Sequence, residues 1–321
     1  MELTDACYHV LKKNMDLKRD EKLLVIFDSR ITDIAEAFLA AGKRLSDHVS
    51  IIKIPIGKES GEEPPNDVAR EMKKYDVIIL ATTKSLSHTK ARRDANSAGA
   101  RIASMPGITE DMLLRNAEAD YDAISKRTKK LAKMLTKGNN VLIKTDLGTN
   151  IRMSIKGRGC RAGKEGFFYK KGDFSNIPSG EADLSPVEGS AEGIFIVDKS
   201  FAGVGKLRHP IKVTVKKGFA VNISGGKEAD KLKNILKKYK CYKKKAYNIA
   251  ELGIGTNDAA VISGNVLEDE KVYGTVHIAL GNNMSYGGKV DVPLHLDGVF
   301  GKPTVVIDGK VVIKEGIFLK G

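Results

Sequence analysis

The feature that most constrains the fold is an alternation of strand-like and helix-like segments in the first 138 residues. Lys22 to Asp28 is a continuous apolar run that ends in Asp-Ser, which is typical of a strand buried on both faces. Helical spacing follows from Ile31 and stops at Gly42. Short connections between such segments favour a doubly wound α/β domain around a parallel sheet. Further strand-like segments of this half lie at residues 49–54, 77–81 and 101–104.

The sequence pattern changes after a Lys-rich helix, which is predicted from Asp120 to Lys137 and ends at Gly138. Beyond it, short segments alternate apolar and polar residues between glycine and Asx turns. Asp308-Gly309 between two Val/Ile runs predicts a hairpin. We therefore expect an α/β domain of the Rossmann or flavodoxin-like type at residues 1–138. A mixed, mostly antiparallel β-rich domain, which would bind metal and carry catalysis, is expected at residues 139–321.

Composition excludes several classes of protein. The chain has 321 residues, 41% hydrophobic and 29% charged, which is ordinary for a soluble globular protein of two domains. No segment is apolar over the length that spans a bilayer, and the acidic N-terminus lacks the apolar core of a signal peptide. We therefore expect no membrane partner. Three distant cysteines, Cys7, Cys160 and Cys241, argue against disulfides or a thiolate zinc site and indicate a cytoplasmic location.

A net charge of +14 raises the question of a nucleic-acid partner. Most of the charges are spread, however, and many lysines lie beside acidic residues. The densest basic run, at residues 237–245, is better explained as a solvated helix end. Nucleic-acid binding is therefore not expected. The absence of Gln and Trp, together with abundant Lys and Glu, favours a thermophilic source.

Two of the six histidines lie in apolar, strand-like runs of the last third of the chain. His277 lies in Val276–Gly281, and His295 lies in Leu294–Asp297. His295 and Asp297 are two residues apart, so their side chains leave the same face of a strand. A buried imidazole and a buried carboxylate both need partners, and one divalent metal ion serves both.

Two glutamates of the same half add to this pattern. Glu181 lies in a Pro/Gly-rich loop, and Glu251 lies between apolar residues and glycines. Alone, Glu251 would more often be structural, and His277 would more often be a satisfied core histidine. Together with His295 and Asp297 they form a set of oxygen and nitrogen donors without cysteine, which favours Zn, Mn, Co or Fe.

The order and wording of these segments resemble the thermophilic metallo-aminopeptidases typified by aminopeptidase T and aminopeptidase S, which are leucyl aminopeptidase-like. Glu181 resembles the glutamate of that family's Pro-x-x-Glu loop, Glu251 that of a Glu-containing strand, and His277 that of a His-x-Ala-x-Gly strand. His295 with Asp297 resembles the final His-x-Asp pair. The resemblance implies two divalent ions (Zn, Co or Mn) held by these five residues. It also implies a metal-bound hydroxide that removes N-terminal residues from a peptide substrate.

One difference from that family concerns a tyrosine. In the aminopeptidases a tyrosine follows the strand histidine by seven residues, whereas here Met284 holds that position and Tyr286 follows it. Tyr286 is therefore the candidate catalytic residue. Asp269 and Glu270 are candidates for groups that orient His277, although surface acids before a strand are the favoured interpretation. We expect the N-terminal half to narrow the entrance to the site or to support a homodimer.

Two alternatives stay open. A ring-cleaving dihydroxypyridine dioxygenase shares this fold family and uses two histidines and one aspartate on a single non-haem Fe(II), which His277, His295 and Asp297 would satisfy. The presence of both Glu181 and Glu251 favours the two-metal form. The second alternative is a non-catalytic metal- or nucleic-acid-binding protein. The sequence thus predicts a cytoplasmic metallo-aminopeptidase, a hydrolase, with these alternatives beside it.

Overall fold

The structure is a computed structural model that describes residues 1–160 and 164–319. The chain forms two compact units, Met1–Ser125 with Gly163–Ser179, and Lys126–Ala162 with Gly180–Gly321. The boundary expected after Gly138 therefore differs from the observed division, which lies inside the preceding helix. The physical reason is that the chain leaves the first unit, returns to it and leaves it again, which one boundary in the sequence cannot represent.

The helices predicted from Ile31 to Gly42 and from Asp120 to Lys137 are observed at Thr32–Lys43 and Tyr121–Lys137. Thr89 and Thr109 lie at the N-termini of two further helices, and each side-chain oxygen accepts a hydrogen bond from the backbone N–H three residues later. No helix within the described residues is long and apolar enough to cross a membrane. In chain order the helices are α1 Leu3–His9, α2 Thr32–Lys43, α3 Asn66–Glu71, α4 Lys90–Ser97, α5 Glu110–Ala117, α6 Tyr121–Lys137, α7 Gly226–Lys237 and α8 Val266–Asp269, with short π or 3-10 turns at Val10–Asn14, Met72–Lys74, Lys240–Tyr247 and Met284–Tyr286.

The strands of both units are short, and the longest within the described residues, Ile249–Gly255, has seven residues. In chain order they are β1 Lys22–Phe27, β2 His48–Lys53, β3 Val77–Ala81, β4 Arg101–Ser104, β5 Asn140–Lys144, β6 Asn150–Ser154, β7 Phe174–Asn176, β8 Glu181–Leu184, β9 Glu192–Val197, β10 Ser200–Phe201, β11 Gly205–Lys206, β12 Ile211–Lys216, β13 Phe219–Ser224, β14 Ile249–Gly255, β15 Val276–Gly281, β16 His295–Phe300, β17 Thr304–Ile307, β18 Lys310–Lys314 and β19 Ile317–Phe318.

The first unit contains a parallel sheet, as predicted. Its strand order within the described residues is β2-β1-β3-β4-β7, and every neighbouring pair is parallel. This order is that of flavodoxin-like sheets, with β7 in the place of the fifth strand. All residues of β3 and β4 are buried, which explains the continuous apolar sequence of β3. Only β7 was not predicted, because it is three residues long and carries no apolar run.

The second unit contains two antiparallel sheets, which confirms the prediction of a mostly antiparallel β domain. In the part of the chain that the structure describes, their strand orders are β13-β12-β9-β6-β5-β17-β18-β19 and β11-β10-β16-β15-β14-β8. One apolar core includes residues of both sheets. The rings of Phe195 on β9 and Phe300 on β16, for example, lie 6.4 Å apart between centroids. The predicted hairpin joins β17 to β18, and both Asp308 and Gly309 have positive φ values, as its turn requires.

The sheet that contains β8, β14, β15 and β16, called here the site sheet, has two different faces. Val276, Ile278 and Leu280 of β15 enter the apolar core between the two sheets. His277 alternates with them, so its side chain leaves the opposite face. The period of two along each strand therefore separates a core-forming face from a face that carries polar residues.

Candidate metal centre

All the residues predicted as metal ligands lie on the polar face of the site sheet. His277 is fully buried, and His295 is the most accessible of them, with 15% of its side chain exposed. Asp183, which was not predicted, is fully buried on the same face of β8 as the predicted glutamate of that strand. The predicted ligands are Glu181 in β8, Glu251 in β14, His277 in β15, and His295 and Asp297 in β16.

Small residues between these side chains make room for them. Ala279 lies opposite both Glu251 and Asp297 in the register, so the two carboxylates converge above a methyl group. Gly253 lies opposite His277, and a Cβ atom on Gly253 would lie 1.9 Å from His277 Nε2. The glycine therefore creates the space that the imidazole ring occupies.

Glu251 contacts both imidazoles. His295 Nε2 lies 2.9 Å from Glu251 Oε2 and 3.3 Å from Asp297 Oδ1. His277 Nε2 lies 3.4 Å from Glu251 Oε1 and 3.6 Å from Glu181 Oε2. Two groups of donor atoms are each close enough together to hold a metal ion: Glu251, His295 and Asp297, and Glu181, Glu270 and His277.

The hydrogen bond of His295 shows that this arrangement fits a cation. Its Nδ1 lies 2.8 Å from the carbonyl oxygen of Asn282. A carbonyl only accepts, so Nδ1 carries the hydrogen, and Nε2 of the neutral ring directs its lone pair at Glu251 and Asp297. Neither His295 Nε2 nor Asp297 Oδ1 makes a well-formed hydrogen bond within the described residues. A lone pair facing carboxylate oxygens is repulsive unless a proton or a metal ion lies between them.

The carboxylates favour positive charge at both imidazoles. Burial acts to lower the pKa of His277, but contact with Glu251 and the charges of two further glutamates outweigh it and raise the pKa to about 9. Burial also acts to lower the pKa of His295, and Asp297 with Glu251 raises that pKa well above its ordinary value. The same negative field attracts a divalent cation, so protons and metal compete for these nitrogens.

Tyr286, predicted as the catalytic residue, stacks on His295. The ring centroids lie 4.7 Å apart and the ring planes differ by 1°. Its turn is held in place by the buried side chain of Asn283, which donates to Ser185 Oγ and Glu188 Oε1. The observed contact fixes the plane of a candidate ligand, so it supports a positioning role. A catalytic role for Tyr286 stays a prediction.

Sequence analysis also missed Lys271, which is fully buried beside the metal-ligand candidates. Its Nζ lies 3.0 Å from Glu181 Oε2 and also contacts Glu270 Oε1. The favoured interpretation of Asp269 and Glu270 as surface acids is wrong, because Asp269 is fully buried and Glu270 is 15% exposed at its side chain. The sequence feature that could have indicated this buried cluster is one lysine next to three consecutive acidic residues, shortly before the strand that contains His277.

The backbone around Lys271 is fixed by two features. Asp269 accepts hydrogen bonds from the backbone N–H groups of Ser263 and Gly264, which orders the loop that precedes α8. A Cβ atom on Gly255 would lie 2.1 Å from the carbonyl oxygen of Val272. Glycine at this position therefore lets the segment that carries Lys271 lie directly against β14.

Comparison with known proteins identifies the family. A family model described as NicX, 2,5-dihydroxypyridine 5,6-dioxygenase, matches residues 2–320. The chain belongs to this family. The 2,5-dihydroxypyridine 5,6-dioxygenase of Pseudomonas putida KT2440 is 22% identical to this member, in an alignment that covers 98% of this chain and 95% of the relative.

Two solved structures share the fold of this NicX-family chain. The 2,5-dihydroxypyridine dioxygenase of Pseudomonas putida KT2440 has a TM-score of 0.86 at 21% identity, covering 99% of this chain and 97% of that one. Wild-type AmpT from Thermus thermophilus has a TM-score of 0.71 at 14% identity and covers 99% of both chains. The resemblance to the aminopeptidase T fold is therefore confirmed.

The activity predicted from that resemblance is wrong. The family match extends over nearly the whole chain and is to a dioxygenase, an oxidoreductase, rather than to a hydrolase or protease. The physical reason for the error is that the fold, which this chain shares with both AmpT and the dioxygenase, does not determine which reaction a site catalyses. The two metal-capable groups exist, but the expectation of two bound ions is not confirmed by them.

Proposed function

We propose that this protein is an Fe(II)-dependent dioxygenase that opens the ring of a dihydroxylated pyridine. The observation that carries the proposal is the family match over residues 2–320, together with the name of the relative. The donor set agrees with it, because His277, His295 and Asp297 provide the two imidazoles and one carboxylate of non-haem Fe(II) oxygenases.

These three residues would hold the ion. Bound Fe(II) supplies the redox chemistry through which dioxygen reacts with an aromatic ring. The carbonyl of Asn282 keeps the hydrogen of His295 on Nδ1, so that Nε2 is available to the ion. Glu251 lies against both imidazoles and favours a proton on His295 Nε2. This carboxylate–imidazole pair would release that proton on binding a metal ion.

The proposal is tested by oxygen uptake. Protein loaded anaerobically with Fe(II) is mixed with 2,5-dihydroxypyridine, and dioxygen consumption is recorded beside the loss of ring absorbance. We expect equal rates for the two signals, and a product that retains both atoms of oxygen-18 dioxygen by mass spectrometry. The matched control is protein loaded with Zn(II), which has no redox chemistry and should be inactive. Iron-loaded protein that consumes no dioxygen with this or an isomeric dihydroxypyridine would refute the proposal.

A tyrosine pair separates positioning from chemistry at Tyr286. Tyr286→Phe keeps the ring that stacks on His295, so metal affinity and turnover should stay close to those of the wild type. Tyr286→Ala removes the stack and should weaken Mn²⁺ binding by about 10-fold, the usual effect of groups that orient a ligand. Calorimetric titration with Mn²⁺ measures both variants. Loss of turnover in Tyr286→Phe with unchanged affinity would instead assign the hydroxyl to the reaction.

A further inference from the structure

One of the two groups of donor atoms already contains a cation supplied by the chain. The Lys271 ammonium lies between Glu181 and Glu270, with Nζ 3.0 Å from Glu181 Oε2 and in contact with Glu270 Oε1. Lys271 is fully buried, and Glu181 is 2% exposed. The same Glu181 oxygen lies 3.6 Å from His277 Nε2. The ammonium thus contacts both carboxylates of the Glu181, Glu270 and His277 group.

The buried ammonium stays charged in these surroundings. Burial acts to lower the pKa of Lys271, but the charges of Glu181 and Glu270 outweigh it and raise the pKa. A buried positive charge is tolerated only where carboxylates compensate it, and here two carboxylates do so. Each contact uses a carboxylate oxygen that a metal ion would otherwise need. A divalent ion held by the same oxygens would also be repelled by the ammonium.

The other group has a different balance of charge. Glu251 and Asp297 place two carboxylate oxygens within 3.3 Å of one imidazole nitrogen, His295 Nε2. Glu251 also reaches His277, which connects the two groups. His277 Nε2 already lies close enough to Glu251 to bind an ion held there, while Glu181 remains engaged with the lysine.

We propose that Lys271 takes the place of a second metal ion, so that the centre holds one divalent ion and Glu181 is an ion-pair partner rather than a ligand. The inference deepens the proposed function and depends on it only for the identity of the ion. It explains how a donor set that resembles a two-metal hydrolase serves a single ion. One ion with open coordination positions is what a dioxygenase of this kind requires.

The test is the number of ions bound per chain. The full-length wild type and Lys271→Met are titrated with Mn²⁺, and bound metal is measured by elemental analysis after dialysis and by electron paramagnetic resonance. Methionine keeps the apolar stem and removes the charge. We expect one ion in the wild type and two in Lys271→Met, with a spin-coupled spectrum in the variant, because Glu181 and Glu270 become free to bind metal. Two ions in the wild type, or one in folded Lys271→Met, overturns the inference.

A second variant makes the test independent of how Lys271→Met folds. Glu181→Gln keeps Lys271 paired with Glu270, so it should still bind one Mn²⁺. Its affinity should fall by less than the ~10-fold that is typical of residues supporting a ligand. Loss of the ion in Glu181→Gln would show that Glu181 is a ligand and would overturn the inference.

The outcomes separate this inference from the proposed function. One ion in the wild type, two in Lys271→Met and no ring cleavage would support the role of Lys271 while refuting the dioxygenase activity. No ion in the wild type and one in Lys271→Met would overturn the inference, because the native centre would then hold no ion, and would also refute metal dependence in the native protein. No ion in either protein would overturn both.

Discussion

Asp297→Asn is expected to abolish ring cleavage and to weaken binding of the divalent ion by on the order of 100-fold or more. Asp297 Oδ1 lies 3.3 Å from His295 Nε2, and the two residues project from the same face of β16. Asparagine keeps the size of the side chain but removes the negative charge that holds a cation. Even residues that only hydrogen-bond to a metal ligand usually contribute 10–100-fold to affinity, so a direct ligand should contribute more.

Thermal unfolding with and without Mn²⁺ separates loss of binding from loss of fold. An ion present at 100 times its Kd stabilises a protein by about 2.7 kcal/mol, so the wild type should unfold at a higher temperature with Mn²⁺. Asp297→Asn should show no such increase at the same concentration. The matched control is Asp258→Asn, an exposed aspartate paired with Arg127, which should keep the full increase and full activity. A full increase in Asp297→Asn would remove Asp297 from the ligand set.

The parallel sheet of the first unit could be predicted because most of its strands are recognisable from short segments of sequence alone. The predicted and observed bounds of β3 are identical at Val77–Ala81, since every residue of this strand is buried. β7 could not be predicted in the same way. Phe174–Asn176 pairs with β4 only after the chain has passed through the second unit, so nothing near it in the sequence indicates its partner. The same return of the chain displaces the unit boundary from Gly138.

The candidate ligands were predictable for a related reason. His277 and Glu251 each interrupt an apolar strand, and such interruptions are visible in sequence alone. Lys271 was not visible, because the Glu268–Lys271 run has the composition of a solvated surface. Its burial depends on Glu181, which lies on β8, far away in the sequence. Such distant partners decide whether a charged residue is buried, so the local sequence alone cannot predict its burial.

The wrong prediction of aminopeptidase activity has a related cause. The chain shares its fold with both AmpT and the dioxygenase, so a resemblance carried by the fold does not separate the two activities. In our proposal the separation is made by a single ammonium group that fills one of two potential metal sites. A count of carboxylates favoured two ions, whereas the positions of the charges favour one.

Gly253→Ala is expected to prevent binding of the ion although it changes no donor residue. The added Cβ would lie 1.9 Å from His277 Nε2 and 2.3 Å from Cε1, so the ring must leave its position. His277 is fully buried and has little room to move elsewhere, and overpacking of this kind costs about 1–3 kcal/mol in stability. Displacement of a ligand nitrogen should lower Mn²⁺ affinity by roughly 100-fold and reduce ring cleavage to background.

The control for this variant is Gly159→Ala, because a Cβ at Gly159 would meet nothing within 4 Å. It should keep the stability, metal affinity and activity of the wild type. The double variant Gly253→Ala with His277→Ala removes the clash, so we expect it to recover stability relative to Gly253→Ala while still binding no ion. That non-additive stability would place the strain between these two residues. Wild-type affinity in Gly253→Ala would show instead that the ion does not require His277 in its position over Gly253.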